Sequence, residues 1–310
     1  MKKNNPFHSG ELEMQALAGD QRIASIVGQC IEPSIPRGAF EFLRQQTAVW
    51  IGVEDEEGYL NAFPLFGLPG FMDPNRTCLK ITLGEQFSIP DAWRASFKKG
   101  KSVACIMLDF PTRSRIRING VVDTLVVDTL SEDQLIINIT QAFPNCPKYI
   151  QKRDIVGKLD SCDFEPEGDG EGSTLDKKAE AILQRSDTAF VASLGPNGAD
   201  VSHRGGESGF IKYDSANNKI VMPDYVGNSM FNTLGNFKIN PVGGLIVCDF
   251  TQGYFLQLSG AVRILFDQDY QDIESGGTQR YWELDIKKWN LFKVESNIQW
   301  AGLEFSPYNP

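Results

Sequence analysis

Two segments of the chain repeat the same pattern of apolar runs and turn glycines at a nearly constant distance. The first reads Thr47-Ala-Val-Trp-Ile-Gly-Val with a turn at Gly58, and the second reads Thr188-Ala-Phe-Val-Ala-Ser-Leu with a turn at Gly198. Further matching pairs follow, with all offsets between 139 and 141 residues: Gly70 and Gly209, Asp109 and Asp249, Gly120 and Gly260. Chance matches would scatter over many offsets, so the sequence indicates an internal duplication.

Each copy has the composition of a β-rich domain. Short runs of β-branched and aromatic residues, such as 48–53 and 244–249, are bounded by Gly, Asn, Pro or Asp. Antiparallel strands joined by tight glycine turns favour a small closed barrel, because closure removes exposed sheet edges. Helices are predicted over residues 11–18 and 176–185, the second after an N-cap-like Ser173-Thr174. The chain is therefore expected to be mainly β with minor α.

An acidic, glycine-rich stretch separates the two copies at residues 163–173. Such a composition buries little surface and predicts an exposed linker. We therefore expect a first copy with an N-terminal helical segment over residues 1–160, a linker over 161–175 and a second copy over 176–310.

Composition excludes several classes of function. A net charge of −10 argues against nucleic-acid binding, which needs a clustered basic surface. No apolar run approaches the roughly 20 residues that span a bilayer, and the basic N-terminus is not followed by the apolar core of a signal peptide. Six scattered cysteines and only two histidines predict no metal site. A soluble, cytoplasmic protein is expected.

The two copies differ most in the strand after the hairpin. The second copy carries Asp200-Val-Ser-His-Arg-Gly-Gly, whereas the first has Asn61-Ala-Phe-Pro-Leu-Phe-Gly. Ser202, His203 and Arg204 thus replace apolar residues at equivalent places. Because the guanidinium of arginine is a planar fork of donors that suits phosphate oxygens, Arg204 is a candidate anion ligand.

The second copy also has additional residues between Pro223 and Asp249. They include Asn228, Asn232 and Asn236, whose spacing of four places them on one face of a predicted helix that starts after Gly227. A helix N-terminus beside an arginine forms an anion site. The alternative is a surface arginine next to a helix that is capped by asparagine.

Four stretches at these places resemble the pyridoxamine 5′-phosphate oxidase-like, FMN-binding split-barrel family, and most closely its tandem flavin-nucleotide-binding members. The stretches begin at Phe7-His-Ser-Gly-Glu-Leu, Phe143-Pro-Asn-Cys-Pro-Lys-Tyr-Ile-Gln, Asp200 and Gly227. The resemblance implies two tandem FMN-binding split β-barrels with Greek-key topology, with the flavin in the groove where two barrels meet. A homodimer is compatible with it.

The resemblance also implies which residues hold the cofactor. In the second copy these would be Ser202, Arg204, Asn228, Asn232 and Thr233 at the FMN phosphate, and Gln257 at the ribityl chain or the ring. The first copy would form one wall of the groove. His203 stands where the family has proline. It is either a proton donor near the flavin or, because side chains alternate along a strand, a polar surface or outer residue. Cys146 is either reactive or part of a structural loop.

The expected function is that of an FMN-dependent oxidoreductase with an unassigned substrate. No catalytic residue is assigned, because no general-base constellation is visible. Without a Gly-x-Gly-x-x-Gly motif, NADH or NADPH would bind as a visiting electron donor. The alternative functions are a non-catalytic flavin-binding sensor or carrier, and a barrel pair that binds no flavin.

Overall fold

The computed structural model describes residues 5–126, 133–157, 159–268, 270 and 273–310. Strands form most of the regular structure, and the helices are short, so the prediction of a mainly β chain is confirmed. Among the described residues, no helix is long and apolar enough to cross a membrane.

The first half of the chain contains four α-helices and nine strands in its described residues. The helices are α1 (Ser9–Leu17), α2 (Gln21–Val27), α3 (Phe40–Gln45) and α4 (Asp91–Ala95), with 3₁₀ turns at Gly28–Cys30 and Arg37–Ala39. The strands are β1 (Ala48–Glu54), β2 (Leu60–Phe66), β3 (Met72–Pro74), β4 (Cys78–Leu83), β5 (Ser102–Asp109), β6 (Ser114–Val126), β7 (Asp133–Pro144), β8 (Lys152–Val156) and β9 (Cys162–Glu171).

The second half repeats the arrangement with fewer helices. The helices are α5 (Lys177–Arg185) and α6 (Asn232–Ile239). The strands are β10 (Thr188–Gly195), β11 (Gly198–Gly205), β12 (Lys212–Asp214), β13 (Lys219–Pro223), β14 (Val242–Asp249), β15 (Tyr254–Leu265), β16 (Tyr281–Ser296) and β17 (Gln299–Glu304).

The two large sheets have the same strand order. The first runs β2-β1-β5-β6-β7-β4-β3 and the second runs β11-β10-β14-β15-β16-β13-β12, with neighbours antiparallel in both. The register is also equivalent, because Arg117 lies opposite Ile106 on β5 and Gln257 lies opposite Ile246 on β14. Arg117 and Gln257, which are 140 residues apart, therefore occupy corresponding positions in the two halves.

Both sheets are open in the described residues, so the closed barrel expected from the turns is not observed there. The end strands β2 and β11 are instead contacted by the other half of the chain. Ser259 Oγ on β15 donates to the Leu60 carbonyl of β2 at 2.7 Å, and the Ala199 N–H of β11 donates to Ser102 Oγ of β5 at 2.6 Å. These contacts protect the edge strands from pairing with other chains, which is what closure would otherwise do.

One large hydrophobic core cluster contains residues of both halves, and a second one is formed almost entirely by the second half. The Trp50 ring of β1 stacks on the Phe190 ring of β10, with centroids 3.8 Å apart and planes 9° apart. At Gly244 the strands approach so closely that a Cβ atom would lie 2.0 Å from the Leu60 carbonyl oxygen. Buried aromatic pairs of this kind contribute beyond the area they bury, so they hold the two sheets together.

The acidic stretch expected to be a linker is mostly exposed, but it forms strand β9, which pairs with β16. Side-chain composition predicted its exposure correctly and missed the backbone ladder, since glycines and acids still offer N–H and C=O groups to a neighbouring strand. Both predicted helices are present as α1 and α5. The N-cap of α5 is Asp176, whose carboxylate accepts the Ala179 N–H, and not Ser173-Thr174.

Candidate functional site

A cavity of about 90 Å³ lies where strand β6 of the first half meets strand β11 and the start of α6 of the second half. One water needs about 10–15 Å³ of such space, so the cavity has room for an oxyanion together with bound waters. Its polar lining consists largely of arginines, asparagines and hydroxyl groups. The first half contributes one wall of this cavity, through Arg115 and Arg117 of β6 and through Asn145, Cys146 and Tyr149.

Five of the six predicted cofactor ligands line this one cavity: Ser202, Arg204, Asn228, Asn232 and Thr233. The sixth, Gln257, does not. Its side-chain amide donates to the Ala62 carbonyl oxygen of β2 at 3.0 Å. Gln257 lines a separate groove, which contains none of the other five predicted ligands. The reason is its register. Gln257 corresponds to Arg117, so it faces the groove that the second half's sheet forms with β2, not the one that contains Arg204.

The predicted asparagine helix starts later than expected. Ser229 and Phe231 have left-handed backbone angles, with φ of 61° and 60°, and α6 begins only at Asn232. Asn228 lies before the helix and accepts the N–H of Met230. Asn236 is buried and donates to Ser193 Oγ, so the three asparagines do not form one ligand-binding face. The four-residue spacing of the asparagines therefore predicted a helix correctly from Asn232 onward and wrongly before it.

The first turn of α6 lies at the cavity. Asn232, Thr233 and Leu234 line it, and no side chain caps the helix, whose preceding residue is Phe231. The N–H groups of a first helical turn have no partner within the helix, and the helix dipole adds partial positive charge there. This end of the cavity is therefore suited to an anion.

Arg204 lies on β11 beside this helix end. One of its terminal nitrogens donates to Asp224 Oδ1 at 3.0 Å, and Arg280 Nε donates to the other carboxylate oxygen at 3.1 Å. The Nε atom of Arg204 is buried and has no hydrogen-bond partner. Asp224 therefore orients Arg204 while leaving one of its donors available.

Arg117 anchors a buried polar network behind the cavity. It donates to both carboxylate oxygens of Asp200, at 2.9 and 3.0 Å, and reaches the side-chain oxygen of Asn232 at 3.3 Å. The amide of Asn232 in turn donates to Glu11 of α1. Burial raises the pKa of Glu11 to about 7, because the carboxylate loses hydration there. Helix α1 thus holds the first residue of α6 in place.

His203 is buried, so it is not the surface residue that was one of the expectations. It points to the other face of β11 from Arg204, packs against the Phe190 ring and receives a hydrogen bond at Nδ1 from Arg115 at 2.9 Å. A guanidinium can only donate, so the neutral imidazole carries its proton on Nε2. Burial, followed by the nearby arginines, lowers the pKa of His203 well below its usual range. The Nε2 atom has no hydrogen-bond partner.

Cys146 lies at the same wall, 3.7 Å from a terminal nitrogen of Arg115. The neighbouring Lys148 places its ammonium 5.6 Å above the Tyr308 ring and does not line the cavity. Tyr149 does line it, and its carbonyl oxygen lies so near Gly205 that a Cβ there would be 2.0 Å away. Glycine at the end of β11 thus allows the Cys146 segment to close the wall.

Sequence comparison of the two copies missed Arg115, Arg117 and Arg280. The first two are in the copy that lacks the Ser-His-Arg motif, and Arg280 follows the second copy's helix by some distance in the chain. A usable signal for Arg117 was its place in the repeat, because the residue 140 positions later, Gln257, is uncharged where the first copy has an arginine.

No protein-family model matches the sequence, and no curated protein matches it either. Among solved structures, HupZ of Group A Streptococcus is 10% identical to this chain, with a TM-score of 0.28. The match covers 36% of this chain and 94% of HupZ. An F420 reductase is 13% identical over 35% of this chain and 98% of its own, with a TM-score of 0.25. HutZ, a heme storage protein from Vibrio cholerae, is 12% identical over 44% of this chain and 100% of its own, also at 0.25. Similarities of this size do not establish a shared function.

Proposed function

We propose that the chain is a flavoprotein that binds FMN with the nucleotide phosphate in the cavity between β6, β11 and α6. The observation that carries the proposal is the concentration of buried, unpartnered polar atoms there, four of which are N–H donors and one of which, Asn145 Oδ1, is an acceptor. Of the eight buried side-chain atoms without a partner in the described residues, five belong to residues that line this cavity: Arg115, Arg117, Asn145, His203 and Arg204. Unpartnered buried polar atoms are rare in folded proteins, and a cluster of them is explained by bound water, an ion or a ligand.

The residues present fit a phosphate. The free Nε–H of Arg204, the hydroxyl of Ser202 and the uncapped first turn of α6 are all donors, and phosphate oxygens are acceptors. A charge count supports the same ligand. Four arginines line the cavity, against the carboxylates of Asp20 and Asp224 in the lining and of Asp200 behind Arg117. The anion would supply the negative charge that these side chains lack.

The chain's own contribution would be binding, orientation and electrostatics. Bound FMN supplies hydride or electron transfer, and the protein sets where the isoalloxazine lies and which groups surround it. His203 is neutral and holds its proton at Nε2, so it can donate a hydrogen bond but carries no charge to the site. We propose in particular an FMN-dependent oxidoreductase that takes electrons from NADH or NADPH. A flavin sensor or carrier would bind FMN through the same residues.

We further propose that the halves are tandem split-barrel domains, with the boundary in the region of β9. The identical strand order of the two sheets and their equivalent register support this view. Divergence of the two copies after duplication would explain why the groove that contains Arg204 is basic and the groove that contains Gln257 is not. Gln257 takes the place of Arg117 in the other groove, which is lined by Asp55, Glu56, Glu57 and Asp169 with a single lysine, Lys288.

Absorption spectroscopy of the purified protein tests the proposal. We expect flavin bands, release of FMN on denaturation, and saturable FMN uptake by the stripped protein. Loss of the flavin bands on addition of NADH or NADPH would favour the oxidoreductase over a carrier. A colourless protein that takes up no FMN would contradict flavin binding altogether.

A further inference from the structure

Helix α1 crosses helix α6 at a place where each contributes a glycine. A Cβ atom at Gly10 would lie 2.2 Å from the Gly235 carbonyl oxygen, and a Cβ atom at Gly235 would lie 2.5 Å from Glu11 Cγ. The two backbones therefore approach more closely than any larger residue would permit. Because α6 begins at Asn232, the crossing places the carboxyl group of Glu11 beside the helix end that lies at the cavity.

The carboxyl group of Glu11 is buried without a lysine or arginine beside it. Glu11 is 3% exposed; one oxygen accepts the His8 N–H at 2.8 Å, and the other accepts the side-chain amide of Asn232. Among the described residues, its one ion-pair contact within 4.0 Å is the His8 ring at 3.5 Å. Burial lowers the pKa of His8, so this ring is neutral at pH 7. A carboxyl group in such surroundings favours its protonated form.

The charged side chains near Glu11 on the neighbouring elements are paired with other groups. Arg117 of β6 donates to both carboxylate oxygens of Asp200 of β11, at 2.9 and 3.0 Å. Lys238 of α6 pairs with Glu13 of α1 at 2.9 Å. Burial raises the pKa of Glu11 to about 7, while Asp200 and Arg117 act on it in opposite directions. Both proton states of Glu11 are therefore populated at neutral pH.

Asn232 connects Glu11 to the cavity. Its side-chain oxygen lies 3.3 Å from a terminal nitrogen of Arg117, its amide donates to Glu11, and the residue itself lines the cavity. An anion bound at the first turn of α6 would be separated from Glu11 by this one residue. A nearby negative charge disfavours the ionised carboxylate. By thermodynamic linkage, the ionised carboxylate disfavours the anion to the same extent.

We propose that Glu11 is a positioning residue that acts through Asn232 and links FMN binding to pH. The protonated carboxyl group supports tight binding of the FMN phosphate, its ionisation weakens that binding, and binding takes up a proton. FMN affinity therefore falls as the pH rises through neutrality. This inference rests on the proposed function, because it takes the FMN phosphate as the anion.

The first test is the Kd for FMN of the stripped, full-length protein between about pH 6 and about pH 8.5, followed by the quenching of flavin fluorescence. The wild-type Kd should rise about fivefold or more over this range, which is the lower end of the coupling between two sites in one protein. In Glu11→Gln, which keeps the shape of the side chain and carries no charge, Kd should stay near the low-pH value of the wild type. Titration of FMN itself is common to both proteins, so the ratio of their Kd values isolates Glu11.

Glu13→Gln is the matched control. It removes a carboxylate from the same helix, at a side chain that is 51% exposed and pairs with Lys238, so its Kd should follow the wild-type pH profile. Equal pH profiles in the wild type and Glu11→Gln would overturn the inference and leave FMN binding intact. If the wild type takes up no FMN at any pH, the proposed function fails and this inference fails with it.

Calorimetry of the wild type covers the case in which Glu11→Gln folds poorly. The heat of FMN binding at about pH 7.5 in two buffers of different ionisation enthalpy gives the number of protons taken up for each FMN bound. We expect net uptake. The FMN phosphate, with a second pKa of about 6, contributes only release, because arginines favour its dianion. Zero uptake or net release would contradict a proton held by Glu11 in the complex.

Discussion

Replacement of Arg204 by alanine is the most direct perturbation of the proposed phosphate site. The Nε–H of Arg204 is buried without a partner, and its terminal nitrogen is oriented by Asp224 at 3.0 Å. A phosphate that accepts from this guanidinium would lose one charge-assisted hydrogen bond in Arg204→Ala. Such a bond is worth about 1.5–3 kcal/mol, and a loss of about 2 kcal/mol raises Kd roughly 30-fold.

The substitution should not unfold the protein. Asp224 keeps its bond from Arg280 Nε at 3.1 Å, so the variant leaves no unpaired carboxylate. Affinity is measured by titrating the stripped protein into FMN and following the quenching of flavin fluorescence. Arg204→Lys should be intermediate, because lysine keeps the charge without the planar fork. Arg263→Ala, at an arginine of the same half whose side chain is 67% exposed, should match the wild type.

Equal FMN affinity in the wild type and in Arg204→Ala would refute the site assignment. Equal losses in Arg204→Ala and Arg263→Ala would show that net charge, and not the position of Arg204, governs binding. Melting curves recorded on each variant separate a local loss of affinity from unfolding.

Three further predictions concern stability. Leu65→Ala removes a fully buried side chain of β2 and should lower the free energy of unfolding by about 2–5 kcal/mol in a urea titration, while FMN affinity of the folded protein stays unchanged. Gly244→Ala should lower the urea midpoint, because its Cβ would lie 2.0 Å from the Leu60 carbonyl oxygen; an unchanged midpoint would contradict the close approach of the halves. The raised pKa of Glu11, about 7, means that the folded state holds a proton which the unfolded state releases near pH 4.5, so wild-type stability should fall as pH rises from about 4.5 to 7. Glu11→Gln should flatten this dependence, which is on the order of 3 kcal/mol over that range, and identical pH profiles for the two proteins would refute the burial of a protonated Glu11.

Local patterns and the family resemblance pointed to residues, close together in the chain, that line one cavity. Ser202 and Arg204 lie on one strand, Asn232 and Thr233 begin one helix, and all four line the cavity. Local patterns failed where a conformation depends on packing. The left-handed Phe231 delays the start of α6. Turn glycines such as Gly58 and Gly198 cannot show whether a sheet closes on itself or stays open.

The repeat, the mainly β class and the basic character of the second copy's strand were determined by the sequence alone, because spacing and side-chain chemistry along one segment express them. Which residues of the other copy face that strand was decided only by the tertiary structure. Arg115 and Arg117 reach the cavity from more than 80 residues away, and His203 became a buried donor because Arg115 bonds to its Nδ1. Gln257 was placed in the opposite groove for the same reason: the pairing of the two sheets, and not the local sequence, sets which face of each strand meets which partner.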